Sequence, residues 1–295
     1  MSSVALITIA HGRHTHWALQ QAGVARSTRR PDARILVAMD DPALADAGRS
    51  AGATVVELAA ADGAVLDGAA GGAVLDAAGA VAPSPLPLAR ARNLGAAAAL
   101  EQGADVLVFL DVDCVPAPAL VDAYADAAGS AATRDRLLCG PVTYLEPAPA
   151  GGYDLDRLAA LDAPHPARPA PAPGEVELGG SHDLFWSLSF ALTGTLWERI
   201  GGFHEGYVGY GGEDTDFAWA ARAAGIELAW VGGARAYHQH HPVEDPPVRH
   251  LDDILRNGAL FRERWGVWPM RGWLDAFVDD RLVERTADGG YRRPR

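Results

Sequence analysis

The sequence predicts an α/β fold, a Rossmann-like nucleotide-binding sheet flanked by helices, with a helical extension at the C-terminus. Three observations point there. Short apolar β-rich runs alternate with Ala-rich helical stretches, a rhythm that makes right-handed βαβ units and parallel pairing. Two such runs, Arg34 to Met39 and Asp105 to Leu110, end in acidic residues, as runs do where a sheet offers its strand ends to a ligand. The last part of the chain, 249–286, loses the strand pattern and reads as helical and aromatic.

Val4 to Ala10 is uniformly apolar and reads as a buried strand. The polar turn His11-Gly12-Arg13-His14-Thr15 follows, with a helix expected from near Trp17. Arg34 to Met39 is a second strand, closing on Asp40-Asp41, and Thr54 to Leu58 is a third. Residues 59–82 are Ala/Gly-rich and duplicate GAVLD at 63–67 and 72–76; a repeat this short makes no solenoid, and a mobile surface excursion is expected. A helix over about 88–102 leads to the strongest strand, Asp105 to Leu110. Residues 146–174 hold too much Pro for regular structure and read as a lid, an acceptor-binding loop or disorder. Leu184 to Thr193 reads as a strand, Asp214 to Ala224 as a helix and Ile226 to Val231 as a strand. Domain boundaries follow: a globular unit over 1–248, its nucleotide-binding half about 1–116 and its acceptor half about 117–248, with 249–295 packed on it.

Composition excludes several chemistries. All 25 basic residues are Arg, so no lysine can form a Schiff base or grip phosphate as in a Walker-A loop. A net charge of −13 repels nucleic-acid backbones, so no nucleic-acid partner is expected. Cys114 and Cys139 form no disulfide framework, which suits a reducing compartment. The N-terminal apolar run is of strand length, and no stretch reaches the ~18 apolar residues of a membrane span. A soluble cytoplasmic protein without a membrane span is expected.

Two acidic constellations stand out. Asp111-Val112-Asp113 leaves the strongest strand, where two carboxylates can face a hard cation such as Mg²⁺ or Mn²⁺ shared with a diphosphate. So short a motif could equally cap a helical turn; its place after that strand favours a ligand. The second is the Gly-rich run 206–212, then Glu213-Asp214-Thr215-Asp216 at the start of a helix. Acids at a helix N-terminus are common caps, but capping does not account for Tyr207 and Tyr210 among so many glycines. Tyr207, Tyr210, Gly211 and Gly212 make a plausible sugar site. Further on, Tyr237-His238-Gln239-His240-His241 places three imidazoles within four positions, and with Asp113 these would form a mixed N/O metal site.

Taken in order, Ala91-Arg92-Asn93-Leu94-Gly95, Phe109-Leu110-Asp111-Val112-Asp113, Ser189-Phe190-Ala191-Leu192-Thr193, Ile200-Gly201-Gly202-Phe203 and Gly211-Gly212-Glu213-Asp214 resemble the GT-A fold glycosyltransferases. They are most similar to the β-1,4-galactosyltransferase and bacterial family-two types, over about residues 4–265. The resemblance implies a mixed sheet and a metal-dependent inverting transfer of a hexose from a nucleoside diphosphate sugar, a UDP-sugar first, to an acceptor hydroxyl on a glycan, lipid or small metabolite. It implies Asp214 as the base, with Glu213 bonding the sugars. It places His11, Arg13, Asp40, Arg92, Asn93, Asp111 and Asp113 at the donor, and Trp186 with the Tyr207–Gly212 run at the acceptor. Mn²⁺ (or Mg²⁺) would be held by Asp113, His238 and His240, with His241 in reserve. Tyr210 stands where the animal enzymes carry Trp, and their membrane anchor has no counterpart here. A metal-dependent nucleotide-sugar phosphoesterase or pyrophosphatase would draw on the same Asp and His residues, and a non-catalytic sugar-binding module would keep the fold without needing a base. The Trp/Arg-rich stretch 261–273 would pack a terminal helix onto the domain, or else seat an acceptor, a partner subunit or a membrane interface, and the final Arg292–Arg295 would fray.

Overall fold

The structure, a computed structural model, describes residues 2–59 and 85–294. The expected excursion over 59–82 lies, from residue 60 on, outside the described residues.

The chain runs β1 (Val4–Ala10), α1 (His14–Val24), β2 (Ala33–Met39), α2 (Pro42–Ser50), β3 (Thr54–Leu58), α3 (Leu88–Glu101) and β4 (Val106–Leu110). Next come β5 (Cys114–Pro116), α4 (Leu120–Gly129), β6 (Leu137–Cys139), β7 (Val142–Tyr144), β8 (Val176–Leu178), β9 (Ser189–Thr193), α5 (Gly194–Ile200), α6 (Glu213–Ala223), β10 (Leu228–Val231) and β11 (Ala236–His238). The C-terminal part holds α7 (Leu251–Trp265), α8 (Arg271–Asp279) and a hairpin of β12 (Glu284–Arg285) and β13 (Tyr291–Arg292).

The main sheet has the order β3-β2-β1-β4-β9-β6-β10-β8. The βαβ rhythm accounts for its first half, where β3, β2, β1 and β4 are all parallel. The sheet as a whole is mixed, because β9 runs antiparallel to both β4 and β6. Every residue of β1 is buried, and the two-residue period sorts them: Ala5 and Ile7 enter one core, Val4 and Leu6 the other. The first core is aromatic and lies under α3, α5 and α6. Phe109 stacks on Phe190 at 4.6 Å between centroids, and Phe203 on Phe217 at 4.3 Å. The second core is aliphatic and is closed by α4 through Leu120, Val121 and Tyr124.

A second, three-stranded sheet, β5-β11-β7, stands at the strand-end side of β4. Its register pairs His238 with Cys114 and with Tyr144, which carries the histidine run to the residue that follows Asp113.

Three expectations are corrected. The strand ending at Thr193 begins only at Ser189; His182–Leu184 is a 3-10 turn capped by the Ser181 hydroxyl, and the chain between lines a cavity instead of pairing. Helix α1 begins at His14, ahead of Trp17. Arg292 and Arg293 are held: Arg292 meets Glu284, and Arg293 makes two bonds to Asp252 at 2.7 and 2.8 Å. The Pro-rich loop 146–174 is pinned by a bridge between Thr143 and Pro164, by the 2.8 Å Arg235–Asp162 ion pair, and by Arg168 inserted between Trp186 and Trp230. Among the described residues no helix is long and apolar enough to cross a membrane.

Candidate functional site

The strand ends of β1, β2 and β4 bring the first constellation together. Gln20 of α1 donates to the Asp111 carbonyl at 2.8 Å, and the Cys114 amide bonds back to that carbonyl at 2.8 Å, closing a tight turn. The turn separates the two carboxylates. Asp111 Oδ1 accepts the Val112 amide at 2.8 Å, and the residue lines a cavity of about 900 Å³. Asp113 points to the other side, toward the histidines.

Asp113, His238 and His241 each offer one ligand atom, and these atoms lie within 4.8 Å of one another. His241 Nε2 is 3.4 Å from Asp113 Oδ2, while His16 Nε2 and Arg13 Nε approach Oδ1 at 3.9 and 3.6 Å. Asp113 Oδ1 is buried without a hydrogen-bond partner, the state a carboxylate oxygen should not hold unless something else satisfies it. Burial, then the nearby Asp111 charge, raise the Asp113 carboxyl above its usual range; burial pushes His238 down to about 4. A neutral imidazole and an orphaned carboxylate oxygen are the donor set a divalent cation takes. The residues present therefore fit such an ion. His240 does not belong to this set: its exposed side chain lies away from it, and its backbone amide bonds the Tyr153 hydroxyl at 3.0 Å. His241 takes its place because β11 ends at His238 and the chain beyond no longer alternates. Tyr144, which spacing did not single out, packs on His238 at 4.8 Å between centroids.

The second constellation forms at the N-terminus of α6. Gly212, at φ +93°, lets the chain enter the helix from a left-handed turn, and acids fill its first turn. Glu213 is buried against Arg92, Nη1 to Oε1 3.2 Å, and Arg92 also donates to Ser187 at 2.8 Å. Burial and the Asp214 charge push Glu213 up to about 7. Asp214 is only partly buried and lines the cavity; its Oδ1 accepts the Thr215 amide at 2.7 Å and the Thr215 hydroxyl at 3.3 Å. Burial raises its carboxyl, and Thr215 and Arg92 work against the rise.

Arg92, Asp111, Trp186, Tyr210, Gly211, Gly212, Glu213 and Asp214 thus line one cavity. The expected contacts His11, Arg13, Asp40, Asn93, Asp113 and Tyr207 do not. Tyr207 is buried and donates its hydroxyl to Asp216 at 3.1 Å. Asn93 is spent on the backbone of Phe203, accepting its amide and donating to its carbonyl at 2.8 and 2.9 Å, and on Glu205. Both residues brace the turn that carries Glu213 and Asp214. At the nucleotide end, His11 Nδ1 sits 2.7 Å from the Met39 carbonyl. Asp40 is exposed at φ +47°, whereas the neighbouring Asp41 caps α2 and binds the Gly12 amide and His14. His165 of the Pro-rich loop and Trp268, Met270 and Trp273 from the C-terminal part also line the cavity. Only the weighed possibility that 261–273 seats an acceptor pointed to the last three.

Residues 181–242 match the family model described as the N-terminal domain of galactosyltransferase. That segment holds Trp186, Glu213, Asp214, His238 and His241. No curated protein is similar to the chain in sequence. Among solved structures, S. aureus TarS residues 1–349 superposes on 87% of this chain with a TM-score of 0.51 and 11% identity. A further S. aureus TarS structure covers 95% with a TM-score of 0.52 and 11% identity. GalNAc-T7 with UDP, GalNAc and Mn²⁺ covers 95% with a TM-score of 0.49 and 14% identity, and this chain spans 57% of it. The chain spans 64% and 47% of the two TarS chains. Its large mixed sheet, flanked by helices, is the GT-A glycosyltransferase fold.

Proposed function

We propose that this chain is a metal-dependent inverting glycosyltransferase that moves a hexose from a nucleoside diphosphate sugar, a UDP-sugar first, to an acceptor hydroxyl. The observation that carries the reading is a single cavity lined by both Asp111 and Asp214, with the Asp113–His238–His241 cluster two residues beyond Asp111.

Asp214 is the base. Thr215 occupies its Oδ1 and orients the carboxylate, leaving Oδ2 to take the acceptor proton as the hydroxyl attacks the anomeric carbon. Positioned general-base help of this kind is worth ~10²–10⁴-fold. Arg92 pairs with Glu213 and opposes the rise that burial gives the Asp214 carboxyl, which favours the ionised form a base requires. Mn²⁺ or Mg²⁺ held by Asp113, His238 and His241 would neutralise the departing diphosphate, a task no lysine can perform here. Arg13, beside Asp113, adds a guanidinium suited to phosphate oxygens. His11, Arg13 and Asp40 remain the donor contacts proposed at the nucleotide end.

Thermal unfolding with a panel of nucleoside diphosphate sugars, with and without Mn²⁺, tests the reading. The midpoint should rise most when a donor and the metal are both present. If no nucleotide stabilises the protein in a metal-dependent way, the reading fails.

A further inference from the structure

The cavity has an apolar wall, although Asp183 and His165 line it elsewhere. Arg92, Asp111, Glu213 and Asp214 lie where the proposed chemistry takes place. The segment joining α7 to α8 supplies Val267, Trp268, Pro269, Met270 and, with the first turn of α8, Trp273, none of them charged. Two contacts join this segment to the catalytic turn. Trp273 lies 5.8 Å from the Tyr210 ring, and a Cβ placed on Gly211 would meet Met270 Sδ at 2.8 Å, so only glycine there lets the wall close on the turn. The wall is latched from behind. Asp216 of α6 is fully buried and accepts from Tyr207, from Arg264 Nε at 2.8 Å and from Trp265 Nε1 at 2.6 Å, which fastens the end of α7 to the helix that carries Asp214. Yet the wall leaves apolar surface bare: Val267 is 46% exposed and Tyr210 38%.

We infer that the acceptor carries a flat apolar group, an aromatic or fused-ring aglycone, that lies against Tyr210, Val267 and Trp273 while its hydroxyl reaches Asp214. The inference rests on the transferase reading and specifies its acceptor. A sugar acceptor also stacks on aromatic rings, but its hydroxyls need hydrogen-bonding partners around the ring face. The 267–273 wall offers no carboxylate, amide or guanidinium side chain to the cavity and one unpaired donor, Trp268 Nε1, so a saccharide there would lose more water contacts than it could replace. An aromatic aglycone loses no such bonds and gains the stacking. The cavity of about 900 Å³ is at the upper end for small-ligand sites and has room for both a donor sugar and a fused-ring acceptor.

The test is binding of 2-naphthyl β-glucoside, methyl β-glucoside and cellotriose, followed by quenching of tryptophan fluorescence and by calorimetry without donor. The naphthyl glucoside should bind at least about tenfold more tightly than either of the others. Trp273→Ala should remove most of that advantage. Because that ring also packs inside the C-terminal helices, Val267→Asp at an exposed position is the second variant; it should weaken the naphthyl probe several-fold and leave methyl glucoside unchanged. Cellotriose binding as tightly as the naphthyl probe overturns the inference, as does a naphthyl affinity that both substitutions leave intact. A metal-dependent response to nucleotide sugars alongside such a result leaves the transferase reading standing. Absence of that response with naphthyl binding intact removes the transferase and keeps only an apolar pocket.

Discussion

The two acidic clusters are built from the same residue types and meet different partners. Asp111 and Asp113 leave a strand, and Asp113 keeps a buried oxygen with no hydrogen-bond partner, only Arg13 and His16 at 3.6 and 3.9 Å. Glu213 and Asp214 begin a helix; Arg92 pairs with Glu213 Oε1 and Thr215 with Asp214 Oδ1, while Glu213 Oε2 is likewise buried without a hydrogen-bond partner. In both pairs burial raises the carboxyls. The first pair faces the His238 and His241 imidazoles and therefore suits a cation; the second is paired with the Arg92 guanidinium and keeps Asp214 Oδ2 free toward the cavity. A pair of acids thus becomes a metal-binding or a proton-accepting device according to the counter-charge the fold supplies.

The sharpest way to break this contrast is Asp214→Asn, which keeps the Thr215 contacts in shape but cannot take a proton. Transfer should fall by ~10²–10⁴-fold while the metal-dependent thermal shift with a nucleotide sugar persists. Loss of both together would make Asp214 a donor contact.

Arg92→Leu attacks the closed cluster. It strips the counter-charge from buried Glu213 and the cation–π contact with Phe203, and should cost ~3–5 kcal/mol in denaturant unfolding. A loss below about 1 kcal/mol would show that Arg92 does not hold the cluster.

Glu213 supplies a pH signature. Its folded pKa, pushed up to about 7, stands above the unfolded carboxyl, so the folded state binds the extra proton. Stability from this group is full below about pH 4.5 and is lost as pH rises through 7, with a slope up to ~1.4 kcal/mol per pH unit. Asp214, raised in the same sense, adds to the trend. Glu213→Gln should flatten the fall between pH 5 and 8 in unfolding midpoints; an unchanged slope would assign it elsewhere.

The smallest contrast is between two neighbouring histidines. His241→Ala should weaken the Mn²⁺-dependent stabilisation by about tenfold or more, ~1.4 kcal/mol, whereas His240→Ala should leave it unchanged. Equal effects would dissolve the Asp113–His238–His241 assignment.

Much of the molecule was legible along the chain. Val4–Ala10 and Thr54–Leu58 form as read: the first is an apolar run buried throughout, and the second is a β-branched edge strand with Thr54 and Glu57 exposed. The acids at the end of β4 and the start of α6 were legible for a related reason: charged residues beside buried runs must lie at element ends. Tyr207 and Asn93 were misplaced because aromatic or amide character next to glycine does not say whether a side chain turns outward or braces the turn. The Leu184–Leu188 strand failed for a similar reason: Phe185 enters the core while Trp186 and Leu188 line the cavity, and in sequence the two kinds of apolar residue look alike.

By itself the sequence determined the α/β order, the lysine-free cation set and the two acidic motifs, since these depend on local pattern and residue chemistry. Only the tertiary structure decided that His241 rather than His240 faces Asp113, that Arg92 closes on Glu213, and that the 267–273 segment walls the cavity beside Asp214. Each of those depends on strand register and helix docking between segments far apart in the chain. One residue of shift turns a side chain to the opposite face, and no pattern within a single segment carries that information.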